Sequence, residues 1–264
     1  MAGGVWLSCA SSLTVLSTIR SFARAVGIHL PTLSRLQSIL LVSTGLASSN
    51  ITAAEPDPDC PHCPRLVAFR QQNRAAFPDW HNAPVPSFGD EDARLLIVGL
   101  APGLRGANRT GRPFTGDYAG VLLYQTLLKF GFASGSYGEA PDDGLRLVDC
   151  MITNGVRCVP PANKPESSEI NICRQFLQGR ISQMPNLRAI VVLGRIAHDT
   201  TIRVFGLKLK DFKFGHGAIH HLGECNIQIF ASYHCSRYNT NTGMLTSEMF
   251  EGVFANVRSL LDRP

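Results

Sequence analysis

The stretch RLLIVGLAPGLRGANRTGRPFTGD, residues 94–117, joins a short apolar run to a long glycine-rich segment. The apolar run 94–100 has the length and the aliphatic content of a strand that is buried on both faces. In the segment 101–117, glycines let the backbone approach a ligand closely, and the segment ends at a carboxylate, Asp117. Residues 118–130 then have the pattern of a helix. The stretch therefore predicts a strand, a ligand-binding loop and a helix in succession.

The same alternation of strands and helices continues along the chain. Apolar runs at residues 147–154, 189–193 and 227–232 predict three further strands. Strands that are separated by helices indicate a parallel sheet with helices on both faces. The sequence therefore predicts an α/β fold with three layers, α/β/α, around a central, mostly parallel, four-stranded sheet. The predicted helices occupy residues 118–130, 167–184, 194–204 and 247–261.

Three local features refine this prediction. Ser167 or Ser168 is expected to cap the helix at 167–184, because a serine side chain accepts hydrogen bonds from the first helical turn. Residues 208–222 are expected to form an irregular, histidine-rich connection. The helix at 247–261 has one apolar face and is expected to cover the sheet. That face consists of Phe250, Val253, Phe254, Val257 and Leu260 or Leu261.

Three of the four predicted strands run into loops that are dense in glycine and polar residues. These loops are residues 101–117, 154–165 and 233–243. The carboxyl ends of parallel strands meet at one edge of a sheet, and ligands bind beyond that edge. We therefore expect the three loops to form the active site.

Residues 1–54 differ in composition from the rest of the chain. They contain three arginines and no aspartate or glutamate, and they are rich in Ser, Thr, Leu and Ala. This composition is typical of a transit peptide, but it also fits a flexible extension or a start codon placed too far upstream. We expect them to lie outside the folded domain, residues 55–264. No apolar run reaches the roughly 18 residues that a membrane span needs, and the nearly balanced charge of 55–264 identifies no partner by itself.

Eight cysteines without the framework of a small secreted domain indicate reduced thiols. Cys60 and Cys63 form a C-x2-C pair, whereas Cys158 and Cys173 are dispersed. Four thiolates can bind zinc or a 4Fe-4S cluster, and the dispersed pair is less typical of a zinc ribbon. A redox dithiol is a weaker alternative, because the C-x2-C pair precedes the first strand. Packing of buried thiols stays open as well.

Three side chains in the loops suit a planar base. Phe114 can stack on a ring, and the amide of Asn154 offers the donor and acceptor that match the imide edge of a pyrimidine such as uracil. His234 can donate a hydrogen bond to an oxygen that gains negative charge. The structural alternatives are a loop anchor, a turn former and a buried structural histidine. Beyond His234, polar residues such as Arg237 can reach phosphates or bases.

Four linked motifs resemble those of a known family. They are GLAPG-x2-GANRTGRPFTGD, ITN-x-VRC-x-PP-x-NKP, VVLG-x-IAH and H-x-SRYN-x-NTG, with the four cysteines in the same order. This set resembles the iron–sulfur uracil-DNA glycosylases, most closely family 5, over roughly residues 56–262. The related family 4 enzymes have a carboxylate in the first motif. Residues 99–103 have none here, which favours family 5.

The resemblance implies a DNA-repair hydrolase that flips deaminated bases out of DNA and cleaves the N-glycosidic bond, leaving an abasic site. The bases would be uracil and also hypoxanthine or xanthine. The enzyme is expected to act as a monomer on DNA, in the cytoplasm at a bacterial nucleoid. The implied ligands of a 4Fe-4S cluster are Cys60, Cys63, Cys158 and Cys173. The implied catalytic residues are Asp117, Asn154 and His234. The implied substrate-binding residues are Gly99, Ala101, Phe114, Asn154, Ser236, Arg237 and Asn239.

One residue departs from the family pattern. The loop of the family usually has a proline after the histidine, whereas this chain has Cys235 between His234 and Ser236. Loss of the proline ring frees the backbone, so we expect a less rigid loop. A function of another class remains as an alternative, namely a non-catalytic, zinc-stabilised module that binds nucleic acid.

Overall fold

The computed structural model describes residues 53–223 and 225–263. The predicted extension at 1–54 lies outside this range apart from its last two residues. Within the described part, Ala54 is buried and its carbonyl accepts a hydrogen bond from Arg157. The prediction that residues 1–54 are a separate extension is therefore left as a prediction.

The helices and strands follow the predicted order with some additions. The helices are α1 (Pro64–Ala76), α2 (Ala107–Thr110), α3 (Tyr118–Lys129), α4 (Ser167–Ser182), α5 (Arg195–Val204), α6 (Arg237–Asn241) and α7 (Ser247–Leu261). The strands are β1 (Phe88–Gly89), β2 (Leu95–Gly99), β3 (Ala133–Ser134), β4 (Arg146–Leu147), β5 (Cys150–Asn154), β6 (Ala189–Leu193), β7 (Ile219–Leu222) and β8 (Ile227–Ser232).

The central sheet has the strand order β1-β5-β2-β6-β8-β7. Its four inner strands are parallel, which confirms the predicted parallel core. The prediction missed the two outer strands, β1 and β7, which pair antiparallel with β5 and β8. β1 has only two residues, and the sequence IHHL of β7 is largely polar because this strand lies at an edge. Neither strand has the apolar run that identifies a buried one.

Helices cover both faces of this sheet, as the three-layer prediction requires. On one face, Ile97 of β2 and Val191 of β6 pack with Leu123 of α3 and Phe254 of α7. On the opposite face, alternate residues of the same strands pack against α4 and α5. β2, β5 and β6 are buried along their whole length, so their sequences do not alternate, and only Thr153 and Asn154 at the end of β5 are polar.

Several local predictions need correction. Glu166, rather than Ser167 or Ser168, precedes α4, and it forms a capping box with Glu169, in which each side chain binds a backbone N–H of the other. The second buried strand starts at Cys150 rather than at residue 147, because Asp149 has a left-handed backbone with φ of 51°. The loops 101–117 and 233–243 contain the short helices α2 and α6. Residues 208–222 contain β7 rather than irregular chain alone.

Within the described residues, no helix is both long enough and apolar enough to cross a membrane.

The core makes a direct stability prediction at Phe254. Its side chain is fully buried and lies against Phe250 and Phe132, with ring centroids 5.2 and 6.4 Å away. Phe254→Ala should lower the free energy of unfolding by about 3–5 kcal/mol, because it removes buried area and leaves a cavity. Denaturant titration followed by circular dichroism measures this. Met249→Ala on the same helix, where the side chain is 36% exposed, is the control and should cost far less. Equal losses for the two variants would contradict the assignment of this helix face to the core.

Candidate active site

The three glycine-rich and polar loops meet in one pocket, as the sequence predicts. It lies beyond the carboxyl ends of the parallel strands and has a volume of about 350 Å³. The first loop and the start of α3 contribute Leu100, Ala101, Pro102, Gly103, Ala107, Phe114, Asp117, Tyr118 and Ala119. The other two loops contribute Asn154, Asn163, His234, Ser236 and Arg237.

The floor of the pocket is built around Gly99. This residue is the last of β2 and pairs with Asn154, the last residue of β5. A side chain at Gly99 would overlap Asn154 Oδ1 and would come within 2.7 Å of the Phe114 ring. Gly99 does not line the pocket, but its missing side chain lets Asn154 and Phe114 occupy this position together.

Asn154 presents an unsatisfied acceptor at this floor. The residue is buried, and its Oδ1 atom has no hydrogen-bond partner among the described residues. Buried polar atoms are nearly always paired, so an unpaired one beside a pocket calls for a ligand that supplies the donor. The contact suits an N–H group of a base.

Phe114 is held in an uncommon conformation beside Asn154. Its φ is 54°, a left-handed value that costs a non-glycine residue about 1–3 kcal/mol. The ring is buried and lines the pocket, and its centroid is 6.0 Å from that of His234 with 28° between the planes. Phe114 and His234 therefore form adjacent aromatic walls of the pocket.

His234 lies two residues beyond the end of β8 and lines the pocket. Burial lowers the pKa of its imidazole to about 4. The ring is therefore neutral at physiological pH, with one N–H available as a donor. Gly194 lies beside it with φ of 93°, a backbone conformation that glycine adopts without strain.

Asp117 combines a structural contact with a position in the pocket wall. Its carboxylate caps α3 by accepting a hydrogen bond from the backbone N–H of Gly120 at 3.3 Å. Side chains at Gly103 and Gly106 would crowd its other oxygen, which explains two glycines of the loop. Burial raises the pKa of Asp117, although the backbone hydrogen bonds partly oppose this. A carboxylate with a raised pKa is a better proton acceptor than an exposed one.

The third loop is organised by α6. Ser236 caps this helix, and the guanidinium of Arg237 lies 5.1 Å from the ring of Tyr118 at the pocket wall. Asn239 lies outside the pocket lining, where its amide donates to the carbonyl of His234 at 2.8 Å. Ser236 and Arg237 are thus placed to contact a ligand, whereas Asn239 holds the backbone of His234.

Cys235 fixes the same loop to α3. It is fully buried, and its thiol donates to the carbonyl of Ala119 in α3 at 3.4 Å. Burial raises the pKa of this thiol to about 12, so it stays protonated and keeps its donor. The position that lacks a proline is therefore fastened to α3 by a side-chain contact.

The four predicted ligand cysteines come together in a second, smaller pocket. Cys60, Cys63, Cys158 and Cys173 all line it, with apolar neighbours that include Leu66 and Phe176. Two N–H groups point at their sulfurs. Arg70 donates to Cys158 Sγ at 3.7 Å, and the backbone N–H of Arg157 donates to Cys173 Sγ at 3.3 Å.

The donor set of this pocket fits a thiolate-bound group. Four sulfurs with N–H donors and apolar walls are the surroundings in which thiolates hold iron–sulfur clusters or zinc. Among the described residues, no three His, Cys, Asp or Glu side chains converge closely enough to bind a single metal ion. The lining of this pocket nevertheless contains all four cysteines.

Some residues of the pocket were not singled out from the sequence. Tyr118 and Asn163 line it, and the small residues Ala107 and Ala119 form parts of its wall. Asn163 has a left-handed φ of 56° in the proline-rich loop. A tyrosine at a helix start and an asparagine after two prolines are common outside binding sites, so their sequence context carries little signal.

Comparisons with known proteins agree with this geometry. Residues 86–258 match the profile of the Uracil DNA glycosylase superfamily. The chain is similar to a type-5 uracil-DNA glycosylase of Thermus thermophilus, with 44% identity over 76% of this chain and 93% of the relative. It is also similar to a type-5 uracil-DNA glycosylase of Pyrobaculum aerophilum, with 37% identity over 72% of this chain and 84% of the relative. Similarity to a type-4 uracil-DNA glycosylase of Archaeoglobus fulgidus is lower, with 32% identity over 57% of this chain and 69% of the relative.

The neutral state of His234 can be tested without substrate. We expect its imidazole to titrate near pH 4, because burial disfavours the charged ring. Two-dimensional NMR of the imidazole signals between pH 4 and pH 8 measures this, and His234→Gln identifies the signal. A midpoint near the ordinary value of about 6.5 would contradict the buried position of the ring.

Proposed function

This chain belongs to the uracil-DNA glycosylase superfamily as a type-5 uracil-DNA glycosylase, a hydrolase of N-glycosyl bonds, and we propose that it flips deaminated bases out of DNA into the pocket described above. The observation that supports this most directly is the unpaired Oδ1 atom of Asn154 beside the buried ring of Phe114. A base that stacks on Phe114 would supply the missing donor through an imide N–H. A mispaired base is unstacked at the lowest cost, which favours deaminated bases as substrates.

The proposed reaction breaks the bond between C1′ of the deoxyribose and the base nitrogen. The bonding electron pair leaves with the base, so negative charge develops on the base and the sugar becomes oxocarbenium-like. Neutral His234 donates its N–H to a base oxygen as this charge forms. Donors that are fixed in place before the reaction lower such barriers strongly. The aromatic walls exclude water from the leaving base and strengthen this interaction.

Asp117 is the proposed partner of the attacking water. Its raised pKa and its position in the pocket wall suit a carboxylate that orients the water and accepts its proton. The water oxygen bonds to C1′ and the base takes up a proton, which gives an abasic site and a free base. Ser236 and Arg237 would contact the DNA strand next to the flipped nucleotide.

The walls of the pocket support a substrate range beyond uracil. The residues on one side are small, namely Ala101, Gly103, Ala107 and Ala119, and no carboxylate occurs in residues 99–103. A volume of about 350 Å³ gives room for a larger ring system than a pyrimidine. We therefore propose hypoxanthine and xanthine as further substrates.

A 4Fe-4S cluster is the proposed cofactor, held by Cys60, Cys63, Cys158 and Cys173. All four cysteines line one pocket, and N–H groups donate to two of their sulfurs, which would suit the thiolate ligands of such a cluster. When bound, the cluster would cross-link the segment before α1, helix α4 and the loop after β5. The proposed role is structural, because the pocket residues already account for base binding, charge stabilisation and water orientation.

We propose that the enzyme acts on DNA as a monomer. Because the substrate is DNA, we propose that it works at the nucleoid, in the cytoplasm of a bacterial cell. We also expect the rate of base excision from DNA to fall as the salt concentration rises, since salt weakens contacts to phosphates.

Excision assays on labelled duplexes test the proposed reaction. Duplexes that contain uracil, hypoxanthine or xanthine are incubated with the full-length protein, treated with alkali, and separated by gel electrophoresis. We expect strand cleavage at each of the three bases. His234→Ala should reduce the single-turnover rate by about 10²–10³, as the loss of one fixed donor does in other enzymes.

The control for this variant is His221→Ala, an exposed position on the edge strand β7. It should retain the parental rate. If His234→Ala also retains that rate, the proposed stabilisation of the leaving base is wrong. If uracil is cleaved and the two purines are not, the proposed substrate range is wrong while the pyrimidine chemistry stands.

The cofactor has its own test. The purified protein should be brown, absorb near roughly 400 nm and contain about four iron atoms per chain. Cys158→Ser should lose this absorbance, whereas Cys225→Ser, at an exposed cysteine outside the group, should keep it. A colourless protein with one zinc ion per chain would refute the iron–sulfur proposal and support zinc at the same thiols.

A further inference from the structure

The loop that carries Phe114 is supported from behind by residues that do not line the pocket themselves. Pro113, immediately before Phe114, accepts a hydrogen bond from the hydroxyl of Tyr124 at 2.6 Å. The carbonyl of Phe114 itself accepts a hydrogen bond from the hydroxyl of Tyr137 at 3.1 Å. The backbone of this strained turn is therefore bound on both sides of the Phe114 α-carbon by tyrosine hydroxyls.

The hydrogen bond from Tyr137 to Phe114 lies against α3 at Gly120, where the absence of a side chain leaves a notch. A methyl group at Gly120 would overlap both the carbonyl oxygen of Phe114 and the hydroxyl of Tyr137. Only a residue without a side chain at position 120 allows these two groups to meet against the helix. Burial raises the pKa of Tyr137 to about 12, so its hydroxyl remains a donor at any physiological pH.

Tyr137 is in turn fixed by an arginine that lies among aromatic rings. The guanidinium of Arg112 is 5.4 Å from the ring of Tyr124 and 5.9 Å from that of Tyr137, and those two rings stack with centroids 4.5 Å apart. Arg112 forms a two-pronged ion pair with Asp143 at 2.8 and 2.7 Å, and both side chains are 5% exposed. The hydrogen bonds to Arg112 hold the pKa of Asp143 far below its usual range.

Asp143 extends this support to the residue after Tyr137. Its carboxylate also accepts a hydrogen bond from the backbone N–H of Gly138 at 2.8 Å. One carboxylate thus ties Arg112, two residues before Phe114, to Gly138, one residue after Tyr137. This arrangement sets the distance between the two loops and leaves the Tyr137 hydroxyl at the Phe114 carbonyl.

We propose that Tyr137 is a positioning residue for base excision, because its hydroxyl holds Phe114 in the strained conformation that presents the ring to a flipped base. This inference rests on the proposed stacking role of Phe114 and goes beyond it, since Tyr137 does not line the pocket. The strain at Phe114 opposes the required conformation, and a single buried hydrogen bond is of comparable magnitude. Loss of the hydroxyl would let the peptide relax and would tilt the ring away from the base.

The test compares two tyrosines whose hydroxyls donate to different carbonyl groups of the same loop. Tyr137→Phe removes the hydroxyl and keeps the ring that packs on Arg112 and Tyr124. Tyr124→Phe is the matched control, because it also removes a buried hydroxyl that binds the same loop. Its partner is the carbonyl of Pro113, and the proline ring already restricts that residue. Single-turnover excision of uracil is measured for both, with thermal unfolding to confirm the fold.

We expect Tyr137→Phe to slow excision by about 10- to 100-fold, as small displacements of a positioned group do, and Tyr124→Phe to slow it far less. Gly120→Ala should reproduce the effect of Tyr137→Phe by filling the notch. The decisive comparison places Tyr137→Phe in a Phe114→Ala background. There it should cause no further loss, because a residue that acts through Phe114 has nothing left to position.

Three outcomes would overturn the proposal. Tyr137→Phe could keep the parental rate, it could slow excision equally with and without the Phe114 ring, or Tyr124→Phe could slow it as much. Failure of the underlying function is distinguishable from these. If Phe114→Ala alone keeps the parental rate, the stacking role is wrong. If no variant and no parent excises uracil, the proposed reaction is wrong.

Discussion

The pairing of Gly99 with Asn154 at the ends of β2 and β5 is the contact on which the pocket depends. Parallel strands bring their carboxyl ends to one edge, so two residues that are far apart in sequence become neighbours there. A side chain at Gly99 would overlap Asn154 and crowd Phe114. The pairing continues into the loops, where the N–H groups of Gly155 and Val156 donate to the carbonyls of Gly99 and Leu100 at 2.9 Å. The amide of Asn154, which is proposed to read the base, is thus positioned by backbone hydrogen bonds on a buried sheet.

A buried polar network lies next to Phe114, the residue with the strained backbone. Arg112 and Asp143 are both nearly inaccessible to water, and a buried pair of charges is costly unless its geometry is good and further hydrogen bonds satisfy it. Here the pair makes two direct hydrogen bonds, and Thr115 accepts a third from Arg112 at 2.7 Å. Such a network contributes less to net stability than to a single defined geometry. The proposed stacking of Phe114 on a flipped base would require that kind of definition.

The inner strands and α7 could be predicted from the sequence because burial on both faces, or on one helical face, imposes an apolar pattern. β6, β8 and α7 begin and end at the predicted residues. Phe114, Asn154 and His234 could be located because they follow strands and belong to linked motifs. Tyr137 and Asn239 donate hydrogen bonds to the backbone carbonyls of Phe114 and His234, and any donor of suitable length could do so. Contacts of this kind leave no residue pattern, and the edge strands β1 and β7 are too short or too polar to leave one.

Ala101 connects the cysteine pocket to the base pocket. It packs against the apolar group that contains the four cysteines, and it also lines the pocket beside Asn154. Only three residues separate Asn154 from Cys158, and the hydrogen bonds of Gly155 and Val156 to the first loop span this gap. A cofactor that fixes Cys158 would therefore fix two walls of the base pocket at once. Because Arg70 binds both Cys158 and the carbonyl of Cys60, the protein already draws the two halves of the ligand set together through its own side chains. In the proposed holoenzyme, the cluster would further fix an arrangement of cysteines that the polypeptide already holds in part. Such a structural role requires no electron transfer.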